Sequence, residues 1–168
     1  MKRLLLVRHA KSDWSDAGLR DFDRPLNARG EHDAPRMARF LRERELVPTF
    51  LLASPAARTY ATARHFAAAF GIAENDIALM ESLYDSSADD LLGAVVGLPD
   101  LHDVVAVFGH NPAMTTAVSR FADEYVSNVP TCGVACVTSE AESWAGVRPG
   151  AASLRGLWTP KGVLAAYE

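Results

Sequence analysis

Residues 104–113 read VVAVFGHNPA, an unbroken apolar run that passes through one glycine into a histidine, an asparagine and a proline. A short apolar run rich in valine, without polar alternation, is typical of a strand that is buried on both faces. Asn111 is a good N-cap, and Pro112 suits the first position of a helix. The stretch therefore predicts a strand, a tight turn and a helix, with His110 in the turn.

The amino-terminal region carries a second strand of this kind. Residues 4–12 read LLLVRHAKS, and the four apolar residues in succession predict a buried strand over residues 4–7. Arg8 and His9 are therefore expected at the carboxyl end of that strand.

A third stretch repeats the pattern. Residues 51–58 read LLASPAAR. Ser54 is predicted as an N-cap and Pro55 as the first residue of a helix. Arg58 then falls in or next to the first helical turn, close to the carboxyl end of the preceding strand.

Segments of helical and strand periodicity alternate along the rest of the chain. We predict helices over residues 31–45, 56–70, 88–97 and 113–124. We predict further strands over residues 49–53, 77–80, 133–139 and 153–158. This alternation indicates an α/β fold with crossover connections and a mostly parallel sheet.

Composition narrows the class of protein. The 168 residues, 49% of them apolar, suit one globular domain over residues 1–168. The formal net charge is -4, so nucleic acid is not an expected partner. No apolar run is long enough to span a bilayer, so we expect no membrane partner and predict a cytoplasmic location. Cys132 and Cys136 offer neither a disulfide framework nor the spacing of paired zinc ligands.

Ligands of parallel α/β sheets bind beyond the carboxyl ends of the strands. The sequence places two guanidinium groups and two imidazoles there, on Arg8, His9, Arg58 and His110. Arginine forks match phosphate oxygens, one imidazole can attack phosphorus, and the other can donate to the equatorial oxygens. Each element alone is typical of a surface pair, a capped helix or a turn, but their joint occurrence at three strand ends favours phosphoryl chemistry.

The three stretches together resemble the motifs of the histidine phosphatase, or phosphoglycerate mutase-like, superfamily. Residues 8–12 resemble its Arg-His-Gly motif, with Ala10 in place of the glycine. Residues 54–63 and 109–112 resemble its second and third motifs. The short chain and residues 23–30 and 130–133 are most similar to the SixA-type phosphohistidine phosphatase branch.

This resemblance implies a three-layer α/β/α sandwich and a reaction without metal or cofactor. It implies that His9 is the phosphorylated nucleophile and that Arg8, Arg58 and His110 line the phosphate pocket. Arg24 and Asn111 are implied as further substrate contacts.

The substrate stays open at this point. Bulky insertions that would enclose a small substrate are missing, which favours phosphohistidine on a protein partner, such as a phosphotransfer protein. The alternatives are a phosphatase of a small phosphorylated metabolite and a non-catalytic module that binds phosphoproteins. Inorganic phosphate would be the product of either enzyme.

The acidic residues allow more than one interpretation. Many relatives place a Glu after the third strand to protonate the leaving oxygen, and Glu81 stands there, with Asp85 as the fallback. A solvated pair in a loop is nearly as good an interpretation, and the SixA-type branch typically lacks this acid. The acids of the loop before the first predicted helix are interpreted as a solvated rim: Asp13, Asp16, Asp21 and Asp23.

Overall fold

A computed structural model describes residues 1–164, so residues 165–168 of the expected domain lie outside the described part of the chain. In this described part, six strands form one sheet: β1 (Lys2–Arg8), β2 (Phe50–Ala53), β3 (Ala78–Leu79), β4 (Val104–Gly109), β5 (Val134–Ser139) and β6 (Ser153–Trp158). Their order across the sheet is β3-β2-β4-β1-β5-β6. The first four neighbours pair in parallel, whereas β5 runs antiparallel to both β1 and β6. The prediction of a mostly parallel sheet is confirmed.

Up to residue 164, five α-helices accompany the sheet: α1 (Ala28–Glu43), α2 (Ala57–Phe70), α3 (Ala88–Val96), α4 (Ala113–Phe121) and α5 (Pro160–Val163). Successive side chains of a strand point to opposite faces. Leu5 and Val7 accordingly pack in one core with residues of α1 and α2, while Leu4 and Leu6 pack in a second core with α3 and α4. The three-layer α/β/α sandwich is therefore confirmed.

Two helix starts differ from the prediction. The first turn of α2 begins at Ala57 with Ala56 as its N-cap residue, so Ser54 is not the cap and Pro55 is not helical. The Ser54 hydroxyl oxygen accepts from the N–H of Ala56, ahead of the helix, at 3.3 Å and lies 2.8 Å from Nε2 of His110 across the fold.

The predicted cap of α4 by Asn111 is present, although Asn111 lies one residue before the assigned N-cap. The assigned N-cap residue is Pro112 and the helix begins at Ala113. The side-chain oxygen of Asn111 nevertheless accepts hydrogen bonds from the backbone N–H and the hydroxyl of Thr115, at 3.1 and 2.8 Å. Within residues 1–164, none of the helices has both the length and the apolar character needed to cross a membrane.

Candidate active site

His9 follows directly on β1, which pairs in parallel with β4 on one side and antiparallel with β5 on the other. Its backbone N–H donates to the carbonyl of Gly109 at 3.1 Å, which joins the end of β1 to the end of β4. The imidazole is buried, with 7% of the residue exposed, and its Nδ1 lies 2.7 Å from the carbonyl oxygen of Ala10. A carbonyl oxygen only accepts, so Nδ1 carries the proton and the lone pair lies on Nε2.

The surroundings keep this imidazole neutral. Burial lowers the pKa of His9 to about 3, and the positive charges of Arg58 and Arg8 act in the same direction, together with His110. The hydrogen bond to Ala10 works against these effects but is outweighed. Near neutral pH the Nε2 lone pair is therefore available to attack an electrophile.

The turn after His9 is tied to α2 by one threonine. The backbone N–H of Ala10 donates to the hydroxyl oxygen of Thr62 at 2.9 Å, and that hydroxyl donates to the carbonyl of Arg58 at 2.8 Å. The first turn of α2, which carries Arg58, is thereby fixed relative to the histidine.

Arg58 projects from this turn toward three acceptors. Its Nη1 donates to the backbone carbonyl of Asp21 at 2.7 Å, and its Nη2 lies 3.0 Å from the Asp21 carboxylate. Nη2 also lies 3.3 Å from Nδ1 of His110. The guanidinium is 9% exposed, so it is a largely buried cation held at the edge of the sheet.

His110 stands beside His9, with 5.3 Å between the ring centroids. A guanidinium only donates, so Nδ1 of His110 accepts from Arg58 and Nε2 carries the proton. That Nε2–H donates to the hydroxyl oxygen of Ser54 at 2.8 Å, with the Thr59 hydroxyl 3.2 Å away. Burial, followed by the charge of Arg58, lowers the pKa of His110 to about 4.

Arg8 completes the group of positive charges. Its Nη1 donates to the backbone carbonyl of Val129 at 3.0 Å. Its Nε is buried and has no hydrogen-bond partner within the described residues. An unpaired buried donor is uncommon in folded proteins, and here it lies next to the histidine that carries the free lone pair. The arrangement suits an anion that brings its own acceptor oxygens.

A cavity of about 320 Å³ opens beside these groups. Within residues 1–164 its lining consists of Asp21, Arg58, Tyr84, Asp85, His110 and Asn111. His9 and Arg8 are not in that lining, but the ring contact with His110 places His9 next to its wall. The strand ends thus bring together Arg8, His9, Arg58 and His110, as the sequence predicts.

The remaining predicted contacts have different positions. Asn111 lines the cavity and donates to the carbonyl of Val129 at 3.2 Å. Arg24 is buried, stacks on the ring of Trp14 at 4.1 Å, and donates to the carbonyls of Asp16 and Leu19 at 3.1 and 3.4 Å. Arg24 therefore orders the loop before α1, and it does not line the cavity among the described residues.

The two candidate acids lie in different positions relative to the cavity. Asp85 lines the cavity, whereas Glu81 is exposed on the short turn before it and is not among the described lining residues. The role of Glu81 as a general acid stays a prediction, and the position of Asp85 favours the fallback.

Asp21 is the residue that sequence reasoning missed. Its side chain is solvated, as predicted, with 47% exposed, but its carboxylate also pairs with Arg58 and accepts a hydrogen bond from the Tyr84 hydroxyl at 2.8 Å. Partial burial works to raise the pKa of Asp21, but the hydrogen bonds from Tyr84 and Arg58 outweigh it and hold this pKa below its usual value. These partners are 37 and 63 residues away along the chain, so no local pattern announces the contact.

The family model of the histidine phosphatase superfamily, branch 1, matches residues 4–95, which is more than half of the chain. This protein is a member of the histidine phosphatase superfamily. The family recognised from the sequence is thereby confirmed; the first two motifs lie within the matched residues, and the third, at residues 109–112, lies beyond them.

Known proteins place this histidine phosphatase more closely. An uncharacterised chloroplastic protein of Arabidopsis thaliana is 33% identical, over 95% of this chain and 78% of that protein. A SixA protein of Agrobacterium tumefaciens, assigned as a phosphohistidine phosphatase, is 29% identical and superposes with a TM-score of 0.79, over 95% of this chain and 98% of the other. The histidine phosphatase SixA complexed with tungstate also has a TM-score of 0.79, over 95% and 97% of the two chains, but at 18% identity it shows the fold alone. The family and these neighbours support phosphatase activity.

Proposed function

We propose that this histidine phosphatase hydrolyses phosphohistidine on a protein partner, through a phosphoryl group carried on His9 and without a metal ion. The observation that supports this most directly is the neutral imidazole of His9, whose Nδ1 is bonded to the Ala10 carbonyl and whose Nε2 lone pair is free. A module that only binds phosphate needs no such nucleophile, which argues against the non-catalytic alternative.

The reaction takes place in two transfers. Nε2 of His9 attacks phosphorus, the bond between phosphorus and the substrate nitrogen breaks, and the leaving imidazole keeps the bonding pair and takes up a proton. Water then attacks the phosphorus on His9, loses a proton to solvent or a neighbouring base, and inorganic phosphate leaves. His9 recovers its Nε2 lone pair, so the enzyme returns to its starting state.

The charge that develops on the phosphoryl oxygens meets groups that are already in place. Arg8 and Arg58 supply two cations, and no acceptor among residues 1–164 bonds the buried Nε of Arg8. A phosphate dianion raises the pKa of a nearby imidazole, so His110 can gain a proton on Nδ1 while Ser54 keeps its Nε2–H in place. These groups supply the positive charge that a metal ion provides in other phosphatases.

The leaving group supports phosphohistidine as the substrate. An alkoxide is very basic and needs a proton in the transition state, whereas the ring nitrogen of phosphohistidine can already be protonated near neutral pH. Glu81, the predicted acid, does not line the cavity among the described residues. A small phosphomonoester stays the second candidate because the Asp85 carboxylate does line the cavity and can serve as an acid.

The test compares substrates directly. We expect the purified protein to dephosphorylate a histidine-phosphorylated phosphotransfer protein at least about ten times more efficiently, in kcat/KM, than any of a panel of phosphomonoesters. Activity should survive exhaustive chelation with EDTA. His9→Asn is the matched inactive control. A preference for one phosphomonoester would favour the metabolite alternative, and loss of activity with EDTA that one divalent ion restores would contradict the metal-free reaction.

Two substitutions separate the candidate acids. Glu81→Gln should barely change the turnover of phosphohistidine, because its leaving group needs no added acid. Asp85→Asn, the matched change inside the cavity, should depress any side activity on alkyl phosphates more than Glu81→Gln does. Severe loss of phosphohistidine turnover in a folded Glu81→Gln protein would make Glu81 an obligatory acid and favour a phosphomonoester substrate.

A further inference from the structure

The fork of Arg58 is already occupied by an anion of the protein itself. The carboxylate of Asp21 lies 3.0 Å from Nη2 of Arg58, and the backbone carbonyl of Asp21 takes Nη1 at 2.7 Å. The proposed function assigns this guanidinium to the phosphoryl group. Both anions therefore address the same donors.

Besides α2, the short helix that contains Asp21 and the turn that carries Tyr84 set the position of Asp21. It begins a short 3-10 helix, Asp21–Asp23, in the loop before α1. The Tyr84 hydroxyl donates to the same carboxylate oxygen that pairs with Arg58, and the Tyr84 ring packs edge-on against Phe22 with 5.0 Å between centroids. The Asp21 side chain is nevertheless 47% exposed, so it can exchange the guanidinium for water at modest cost.

We propose that Asp21 is an internal competitor of the phosphoryl group: it holds Arg58 in place while the site is empty and yields the guanidinium when substrate binds. This inference rests on the proposed function, since it needs phosphate to bind at Arg58. Two anions at one guanidinium repel each other, so phosphate binds more weakly while Asp21 stays ionised. The same competition favours release of the inorganic phosphate that each turnover produces.

A purely structural role for Asp21 predicts the opposite result. If Asp21 served only to orient Arg58, its removal would disorder the guanidinium and weaken phosphate binding. If it competes, its removal strengthens binding, because Arg58 is also held by His110 at 3.3 Å and is largely buried. The sign of the change in affinity therefore separates the two roles.

The experiment is a calorimetric titration of the full-length protein with inorganic phosphate, joined to product-inhibition kinetics. Asp21→Asn keeps the shape of the side chain and removes its charge. We expect the dissociation constant and the inhibition constant of phosphate to fall roughly ten-fold, on the strength of a charge repulsion at the edge of a protein. The KM for the phosphorylated substrate should fall in parallel, because the same fork binds it.

Two further variants make the result specific. Asp23→Asn removes the same charge from the same short helix, but Asp23 pairs with Arg20 instead of Arg58, so phosphate affinity should change less than about two-fold. Tyr84→Phe leaves the Asp21 charge and removes one hydrogen bond that holds it, so phosphate should bind roughly two- to five-fold more tightly. This second variant keeps the test decisive even where Asp21→Asn does not fold.

Each outcome bears on one of the two proposals. If the wild type binds phosphate and Asp21→Asn binds it equally well or more weakly, the competition alone is overturned. Where Asp21→Asn does not fold, the same result from Tyr84→Phe overturns it. An equal gain in affinity from Asp23→Asn would also overturn it, because the effect would then come from net charge. No phosphate binding by the wild type at any concentration tested would refute the proposed function, and the competition with it.

Discussion

His9 and His110 are almost equally buried, but their rings are held in different ways. Each ring with its contacts is called a corner of the site below. At the His9 corner a backbone carbonyl binds Nδ1 and leaves Nε2 free. At the His110 corner both ring nitrogens are engaged, Nδ1 by Arg58 and Nε2 by the hydroxyl of Ser54. A ring with one free nitrogen is prepared to form a bond, whereas a ring with two polar partners is prepared to respond to charge. Under the proposed function, this difference separates the nucleophile from a supporting group without any difference in residue type.

The largest effect is expected at the corner with the free nitrogen. His9→Asn should lower kcat/KM by about 1000-fold or more, because the covalent route is lost. Rapid quenching of the wild type with substrate should trap a phosphoryl group on His9 that is labile in acid and stable in base. His32→Asn, on the exposed surface of α1, is the control for the loss of a histidine as such. Near-normal turnover by His9→Asn would contradict the assignment of the nucleophile.

The supporting corner should matter less. His110→Asn should lower kcat by about 100-fold, the usual cost of removing one donor to a charged transition state. Ser54→Ala leaves the ring in place but removes the acceptor of its Nε2–H, so a loss of roughly five- to ten-fold is expected. Steady-state kinetics of the two variants measure both. Equal losses at His9 and His110 would remove the distinction between the corners.

Arg58 belongs to the second corner through its contact with His110. Arg58→Lys keeps the charge but loses the planar fork, so kcat/KM should fall by roughly ten-fold. Thermal unfolding of the variant checks that the first turn of α2 is intact. Unchanged kinetics would remove Arg58 from the site.

The smallest effect is on protein stability, and it tests the property that both rings share, a lowered pKa. Both pKa values are lowered, to about 3 and about 4, so the native protein resists protonation of two rings that the unfolded chain protonates below about pH 6.5. Their contribution to the unfolding free energy is full above that pH and declines as the pH falls, toward about 4 for His110 and toward about 3 for His9. Each ring should contribute about 1 kcal/mol per pH unit to the slope between pH 5 and 6.

Denaturant unfolding at several pH values measures this slope. His9→Asn should reduce it by about 1 kcal/mol per pH unit, whereas Thr116→Ala, a change at an exposed residue of α4 without an ionisable group, should leave it unchanged. An identical slope in wild type and His9→Asn would mean that the ring of His9 is not held neutral.

The sequence predicted the fold because the deciding signals are local. Apolar runs followed by turn residues marked β1, β2 and β4, and the rule that parallel strands present ligands at their carboxyl ends placed Arg8, His9, Arg58 and His110 together. Those predictions needed no knowledge of long-range contacts.

The errors have the opposite character. Ser54 read as a helix cap because its local pattern allows it, but its hydroxyl is taken by His110, 56 residues away. Asp21 is solvated, as predicted, but the sequence did not indicate its contacts with Arg58 and Tyr84, which form only in the folded chain. Side chains whose partners lie across the fold are thus the part of the site that a sequence pattern does not reveal.

Trp14, which stacks on Arg24, is a natural fluorescent probe of the loop that carries Asp21. Trp14 is 62% exposed and stacks on Arg24, whereas Trp144 is fully buried beside Lys2, and the third tryptophan, Trp158, packs against Phe40. Indole emission depends on nearby charge and on contact with water. A movement of this loop should therefore shift or quench the emission of Trp14 and leave that of Trp144 unchanged. Tryptophan fluorescence, recorded without any label, can therefore follow the loop on the timescale of a single turnover.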